Sequence, residues 1–238
     1  MNNGFIYEAQ QSLFNDKTSI NRSIIGYRKN ETRIQYINHK TASGIIRKHH
    51  YSKTIFNNVL EHFGFFINGH LMGVLQFGYM LNHKSCSKVV LGTTSINDYR
   101  ELNRMFFYDD APKNTASRAM SMCFKVLQKK GVKWVQSFAD ERCKKNGLVY
   151  QACNFKYFGF HYSTFYTYKN RVYHNIMFTH KKDVQPLERR EGKGIEEIRK
   201  EAVKTDLRQF RYIYFIDKKW IEKCTLNQQP YPKHYKTT

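Results

Sequence analysis

Apolar positions along this chain recur at two rhythms. In ETRIQYINH (31–39) they alternate around Ile34 and Tyr36 as in a half-buried strand, and Thr41 then caps a short helix over ASGIIRKHH (42–50). The segment HFGFFINGHLMGVLQFGYML (62–81) reads as a hairpin, because Asn68-Gly69 tolerates positive φ at both turn positions. Another extended stretch, DYRELNRMFFYDD (98–110), leads to Asn114 as the N-cap of a helix. Its apolar residues Ala116, Ala119, Met120, Cys123, Phe124 and Leu127 recur at three and four, and Gly131 stops it.

KWVQSFAD (133–140) then predicts a buried strand, GLVYQACN (147–154) a short helix, and STFYTYKNRVYHNIMF (163–178) one long or two short strands. Residues 187–205 predict one charged helix, RQFRYIYFID (208–217) a further strand, and Pro230 and Pro232 a loose tail. This order predicts an α/β (α+β) chain with a mixed sheet and helices on both faces. The expected organisation is an irregular extension over 1–30, a core over 31–180, and a charged helix, strand and basic tail over 181–238 packed on that core. Ligands in such sheets sit at the carboxyl ends of strands, so Asp140 is expected beside the helix start at 114. The N–H groups near Thr115, Ala116 and Ser117, reinforced by Arg118, would favour a phosphate or carboxylate there.

Charge narrows the partner. Among 238 residues, 40 Lys and Arg stand against 19 Asp and Glu, a net +21. Such an excess repels itself and points to a polyanion, with nucleic acid first. The 18 Phe and 17 Tyr supply a core and exclude disorder. No apolar run reaches the roughly 18 residues of a membrane span, and MNNGFIYEAQQ lacks the pattern of a signal peptide, so a soluble intracellular protein is expected. Cys86, Cys123, Cys143, Cys153 and Cys224 are odd in number and lack a C-x-x-C pair, which predicts reduced thiols.

Three places could carry chemistry. His49-His50-Tyr51-Ser52 sits where a helix gives way to a loop; imidazolium at the helix end and imidazole as a metal ligand are both open, as is simple capping. Asp140 at a strand end suits a general base, a metal ligand, a substrate anchor or a helix cap, and Tyr150 suits a proton donor or a packing residue. Alternation puts Glu101 and Asn103 on one face of their strand and Arg104 on the other. Asp109-Asp110 reads as a solvated turn. The run from Arg208 to Lys236 either tracks a phosphate backbone or forms a basic edge strand.

Taken together, HHYS (49–52), the hairpin G-x-x-x-GVLQFG (69–78), ELNRM (101–105), NTASRAMS (114–121) and SFAD with GLVYQACNFKYFG (137–159) resemble the phage Mom proteins. The resemblance implies a fold like the GCN5-related N-acetyltransferases and conversion of adenine N6 to N6-carbamoylmethyladenine in duplex phage DNA, protecting it from host restriction. It implies catalytic roles for Asp140, Tyr150, His49 and Tyr51, and donor binding by Arg104, Ser117 and Arg118. Arg47, Lys48, His50 and Tyr157 are the expected DNA contacts, and His49, His50 and Tyr51 the candidate ligands of an iron. Tyr51, Phe138 and Tyr157 are expected to line a pocket for a flipped base.

The acetyltransferase phosphate turn is glycine-rich, whereas Asn114-Thr115-Ala116-Ser117-Arg118 has no glycine. The expected donor is acetyl-coenzyme A or an aminoacyl-tRNA such as glycyl-tRNA, the missing glycines counting against coenzyme A. The expected setting is the cytoplasm of an infected bacterium, with no membrane partner, as monomer or homodimer. Competing readings are an acetyltransferase of another substrate and a non-catalytic DNA-binding protein.

Overall fold

The computed structural model describes residues 32–143, 146–179 and 181–232, excepting the side chains of 181–183. The expected extension over 1–30 and the end of the tail from 233 lie outside the described residues. Among the described residues eight strands form one sheet: β1 (Thr32–Tyr36), β2 (Val59–Ile67), β3 (His70–Gly78), β4 (Tyr99–Phe107), β5 (Trp134–Asp140), β6 (Lys156–Tyr168), β7 (Arg171–His174) and β8 (Val203–Phe215). Their order is β1-β2-β3-β4-β5-β8-β6-β7, and every pairing is antiparallel except β4 with β5.

Helices cover both faces. On one, α2 (Thr115–Lys129) lays Ala119, Met120, Cys123, Phe124 and Leu127 on Phe63, Phe65, Leu75, Phe77 and Val135, each large side chain contributing roughly 1.5–3 kcal/mol of burial. On the other, α1 (His39–His49) presses Ala42 and Ile45 onto Phe66, Leu71 and Val74. The cap of α1 is Asn38, whose Oδ1 accepts from Thr41 N at 2.8 Å, so the helix begins three residues earlier than a Thr41 cap would allow. The hairpin between β2 and β3 turns at Asn68 and Gly69 with φ of 50° and 82°.

The C-terminal third departs from expectation. The stretch over 163–178 divides into part of β6, β7 and a short helix, α4 (Ile176–Thr179), because Lys169 and Asn170 turn the chain with φ of 46° and 60°. Residues 187–205 do not form one helix. Gly192 and Gly194 separate α5 (Lys181–Glu191) from α6 (Ile195–Glu201), and the last three residues already belong to β8. These helices pack through Phe178, Leu187 and Ile198 on Tyr166, Tyr168 and Tyr173. β8 is no edge strand; it lies between β5 and β6, inside the sheet.

One irregularity opens the sheet. β4 and β5 pair only through Tyr99↔Trp134, Arg100↔Val135 and Glu101↔Gln136, after which β4 follows β3 and β5 follows β8. Across the gap a side chain replaces the ladder, with Ser137 Oγ donating to Leu102 O at 3.0 Å. A further helix, α3 (Leu148–Ala152), carries Tyr150 toward this gap.

Candidate active site

A cleft of about 960 Å³ occupies the split. The end of α1 brings His49, His50 and Tyr51 to it; β4 brings Glu101, Asn103 and Arg104; β5 brings Gln136, Phe138 and Asp140; α3 brings Tyr150; and β8 brings Arg211. No residue of α2 lines it. The helix start at 114 and Asp140 therefore do not share one site. Ser117 Oγ instead donates to Asn114 O at 2.9 Å, and Arg118 Nε donates to Thr32 Oγ1 at 2.9 Å, tying α2 to β1.

Arg104 faces the cleft because β4 bulges. Phe77 pairs with Leu102 and Gln76 with Arg104, so Asn103 is an extra residue that reverses the phase of the strand and puts Arg104 on the side of Glu101. Strict alternation had separated them. Arg104 spends Nε on Thr54 O (2.9 Å) and Nη1 on Asn103 O (2.7 Å), and its guanidinium lies 4.1 Å from the Phe56 ring centroid.

Asp140 is not a bare carboxylate. Arg142 donates Nε to both oxygens at 2.9 and 3.0 Å, Nη2 to Oδ2, and its backbone N to Oδ1 at 2.9 Å. This fork also places the Arg142 guanidinium 5.5 Å from the Tyr51 ring. Tyr150 is held by two hydroxyls and a turn. Leu102 O only accepts, so the single Ser137 proton goes there, and the Tyr150 phenol donates to Ser137 Oγ at 2.9 Å. Burial pushes the phenol up to about 12. Gly147, with φ of 80°, starts α3; a Cβ there would collide with the Tyr212 ring, which also donates its hydroxyl to Asn146 O.

His50 is buried, and its Nδ1 accepts from Ser52 N at 3.2 Å and Ser52 Oγ at 2.9 Å. That leaves its proton on Nε2. Burial first, then the Arg104 and Arg142 charges, drive it down to about 3, so it is neutral. Its ring lies 4.3 Å from that of Tyr51, whose hydroxyl is pushed up by burial and by neighbouring Cys143 and Asp140. His49 stacks on Phe106 at 5.3 Å instead. Among the described residues no three His, Cys, Asp or Glu side chains gather to hold a metal, and His50 Nδ1 is taken up by Ser52, so the iron expected at His49, His50 and Tyr51 has no support.

Of the expected DNA contacts, Arg47 and Lys48 are exposed on α1, but His50 is buried at the cleft wall. Tyr157 is 4% exposed, packed between Phe210 and Tyr212, and cannot meet a duplex or a flipped base. All five cysteines are free thiols, and among the described residues no helix is long and apolar enough to cross a membrane.

Sequence reasoning put Glu101 and Asn103 on one face but gave Glu101 no role and did not join it to Gln136. Gln136 Nε2 donates to Glu101 Oε2 at 2.6 Å and Asn103 Nδ2 to Oε1 at 3.2 Å, yet burial outweighs both and raises the carboxyl to about 7. Arg142 was missed, although an arginine two residues after a strand-end aspartate is a readable signal for such a fork.

A family model for the Mom protein family matches residues 31–233. The chain belongs to this family. The Mom relative from Escherichia phage Mu, whose name is methylcarbamoylase mom, is 42% identical over 217 residues, covering 88% of this chain and 87% of the relative. Among solved structures, a ribosomal-protein-S5-alanine acetyltransferase from Vibrio fischeri is 9% identical with TM-score 0.46, covering 82% of this Mom chain and 98% of its own. An N-acetyltransferase from Staphylococcus aureus Mu50 is 14% identical with TM-score 0.43, covering 78% and 98% respectively.

Proposed function

We propose that this Mom protein is a transferase that converts adenine N6 in duplex phage DNA to N6-carbamoylmethyladenine, in the cytoplasm of the infected host, and so shields that DNA from restriction. The observation that carries this reading is the convergence of Glu101, Arg104, Asp140, Tyr150 and Tyr51 on one cleft, in a protein of net charge +21. The relative named methylcarbamoylase supports the group transferred.

Adenine N6 is a poor nucleophile, stacked and paired inside the duplex, so the base must be extruded at a cost of a few kcal/mol that stacking in the cleft offsets. Phe138 and Tyr51 are two of the cleft's aromatic side chains that would stack on it. Glu101, with an acidity near neutral, accepts the proton that N6 loses as its new bond forms. Asp140 acts through Arg142, fixing a guanidinium beside Tyr51 where negative charge develops. Tyr150 presents a phenol oxygen whose proton is directed to Ser137, so it accepts from the substrate amine and orients it.

The donor must offer N6 a methylene carbon, whose bond to its carrier breaks as the N6–CH2 bond forms, the carrier leaving with the electron pair; plain acyl transfer from glycyl-tRNA would release the tRNA hydroxyl and give the isomeric N6-glycyl amide, and acetyl-coenzyme A carries no amide nitrogen. At the α2 start, Thr115 N already donates to Pro112 O at 3.2 Å and Arg118 N to Asn114 O at 3.0 Å, leaving a poor cradle for a pyrophosphate. Nucleoside mass analysis of plasmid DNA from cells expressing the protein tests the reading. It is expected to give deoxyadenosine heavier by one carbamoylmethyl group; unmodified deoxyadenosine from well-expressed protein would refute it.

A further inference from the structure

His50 has one ring nitrogen closed and the other open. Ser52 N donates to Nδ1 at 3.2 Å, and a backbone N–H can only donate, so Nδ1 carries the lone pair and Nε2 the hydrogen. Ser52 Oγ, 2.9 Å from the same nitrogen, donates to it as well. Thr54 Oγ1 in turn donates to Ser52 O at 2.8 Å, which braces the turn that fixes this tautomer. The Nε2–H meets no acceptor among the described residues. Although His50 is only 8% exposed, that nitrogen keeps contact with solvent, unlike the sealed amide oxygens of Asn58, Asn103 and Gln136.

The open nitrogen belongs to the cleft. His50 lines it at the end of α1, and the charges that act on its ring, those of Arg104, Arg142 and Asp140, all stand on the cleft walls. Arg142 is committed to Asp140, and Arg104 turns Nε and Nη1 to Thr54 O and Asn103 O, whereas the imidazole N–H is uncommitted and uncharged. A neutral donor held in one orientation suits a neutral acceptor, while an anion is better served by a guanidinium. Paired adenine has such an acceptor: N1 takes the N3–H of thymine while N6 donates to thymine O4. Extrusion strips both bonds, and an extruded base is read on that same edge. Tyr150 already offers N6 an oxygen, so the edge lacks only a donor for N1.

We infer that His50 reads the Watson–Crick edge of the extruded adenine, its Nε2–H donating to N1 in the place that thymine N3–H holds in the duplex. The inference rests on the reading above of adenine N6 as the modified atom. His50 is then a determinant of which base is accepted, distinct from Glu101 as proton acceptor. Guanine, whose N1 carries a hydrogen, would set donor against donor.

Duplexes with the target base opposite an abasic site test it, because removing N1 then changes no base pair. Three of one sequence carry adenine, 1-deazaadenine or 7-deazaadenine, and the full-length protein is titrated into each at fixed salt by fluorescence anisotropy. The wild type is expected to bind adenine and 7-deazaadenine alike and 1-deazaadenine at least about fivefold more weakly, the factor one hydrogen bond is worth. His50→Ala, checked for a wild-type circular dichroism spectrum, is expected to bind adenine and 1-deazaadenine alike; the wild-type series decides without it if the variant does not fold. Equal wild-type binding of adenine and 1-deazaadenine, a loss on 7-deazaadenine instead, or an undiminished preference in His50→Ala overturns the assignment. Carbamoylmethyl-deoxyadenosine in the plasmid digest would then confine the failure to His50, whereas unmodified deoxyadenosine would sink the reaction as well.

Discussion

Replacing Glu101 by Gln separates the proposed proton acceptor from its neighbours while keeping volume and shape. In the folded protein burial raises this carboxyl from 4.5 to about 7. Because the folded-state value is the higher one, the native chain binds the proton more tightly than the unfolded chain. The stability linked to Glu101 is therefore fully present below about pH 4.5 and is lost as pH rises through about 7. At about 1.36 kcal/mol per pH unit the full gap corresponds to roughly 3 kcal/mol, and partial solvent contact trims this to about 2 kcal/mol. Glu101→Gln cannot titrate. Urea unfolding of both proteins from pH 5 to pH 8 should show the variant gaining about 2 kcal/mol relative to wild type across that span. Using the difference cancels the histidines, whose downward shifts act in the opposite direction and are common to both proteins. Modification should fall by roughly 10²–10⁴ in the variant, and the wild-type rate should rise through about pH 7 as the base ionises. A stability difference flat across this range, or wild-type modification by Glu101→Gln, would refute the assignment.

Other outcomes follow from the same geometry. Ser137→Ala should cost about 1–3 kcal/mol in urea unfolding, because Leu102 O and the Tyr150 phenol both lose their partner; a loss under about 0.5 kcal/mol would contradict the proton count made above. Arg142→Lys keeps the charge but loses the two-pronged contact with Asp140, so modification should drop at least tenfold in the plasmid digest, and Asp140→Asn should match it; unequal effects would separate the two residues. Duplex affinity by fluorescence anisotropy should fall linearly with log salt, with a slope of about −0.9 per phosphate contacted, and a flat line would remove the electrostatic argument.

The β2–β3 hairpin and α2 were legible because local rules decide them: Asn68-Gly69 fixes the turn, and a three-and-four spacing fixes the buried stripe of the helix. The inner position of β8 was not, since its partners β5 and β6 are set by tertiary pairing and nothing in RQFRYIYFID distinguishes an edge from a centre. Asp140, Tyr150, Tyr51 and Arg104 were found as site candidates, and all line the cleft. Ser117 and Arg118 do not line the cleft, which opens at the split between β4 and β5 and not at the start of α2. Glu101 was named on its strand without a role, and Arg104 was set on the opposite face for a physical reason. Alternation assumes a constant phase, and the bulge at Asn103 changes it between Leu102 and Arg104. Tyr157 read as an aromatic beside basic residues, while its burial depends on Phe210 and Tyr212, some fifty residues away in sequence.

The most direct measurement is the mass of deoxyadenosine in plasmid DNA from cells expressing, in parallel, the wild type, Glu101→Gln and Tyr150→Phe at equal soluble levels. The cleft account predicts carbamoylmethyl-deoxyadenosine from the wild type and a loss of at least tenfold from each variant. Wild-type amounts from both variants would place the chemistry elsewhere in the molecule.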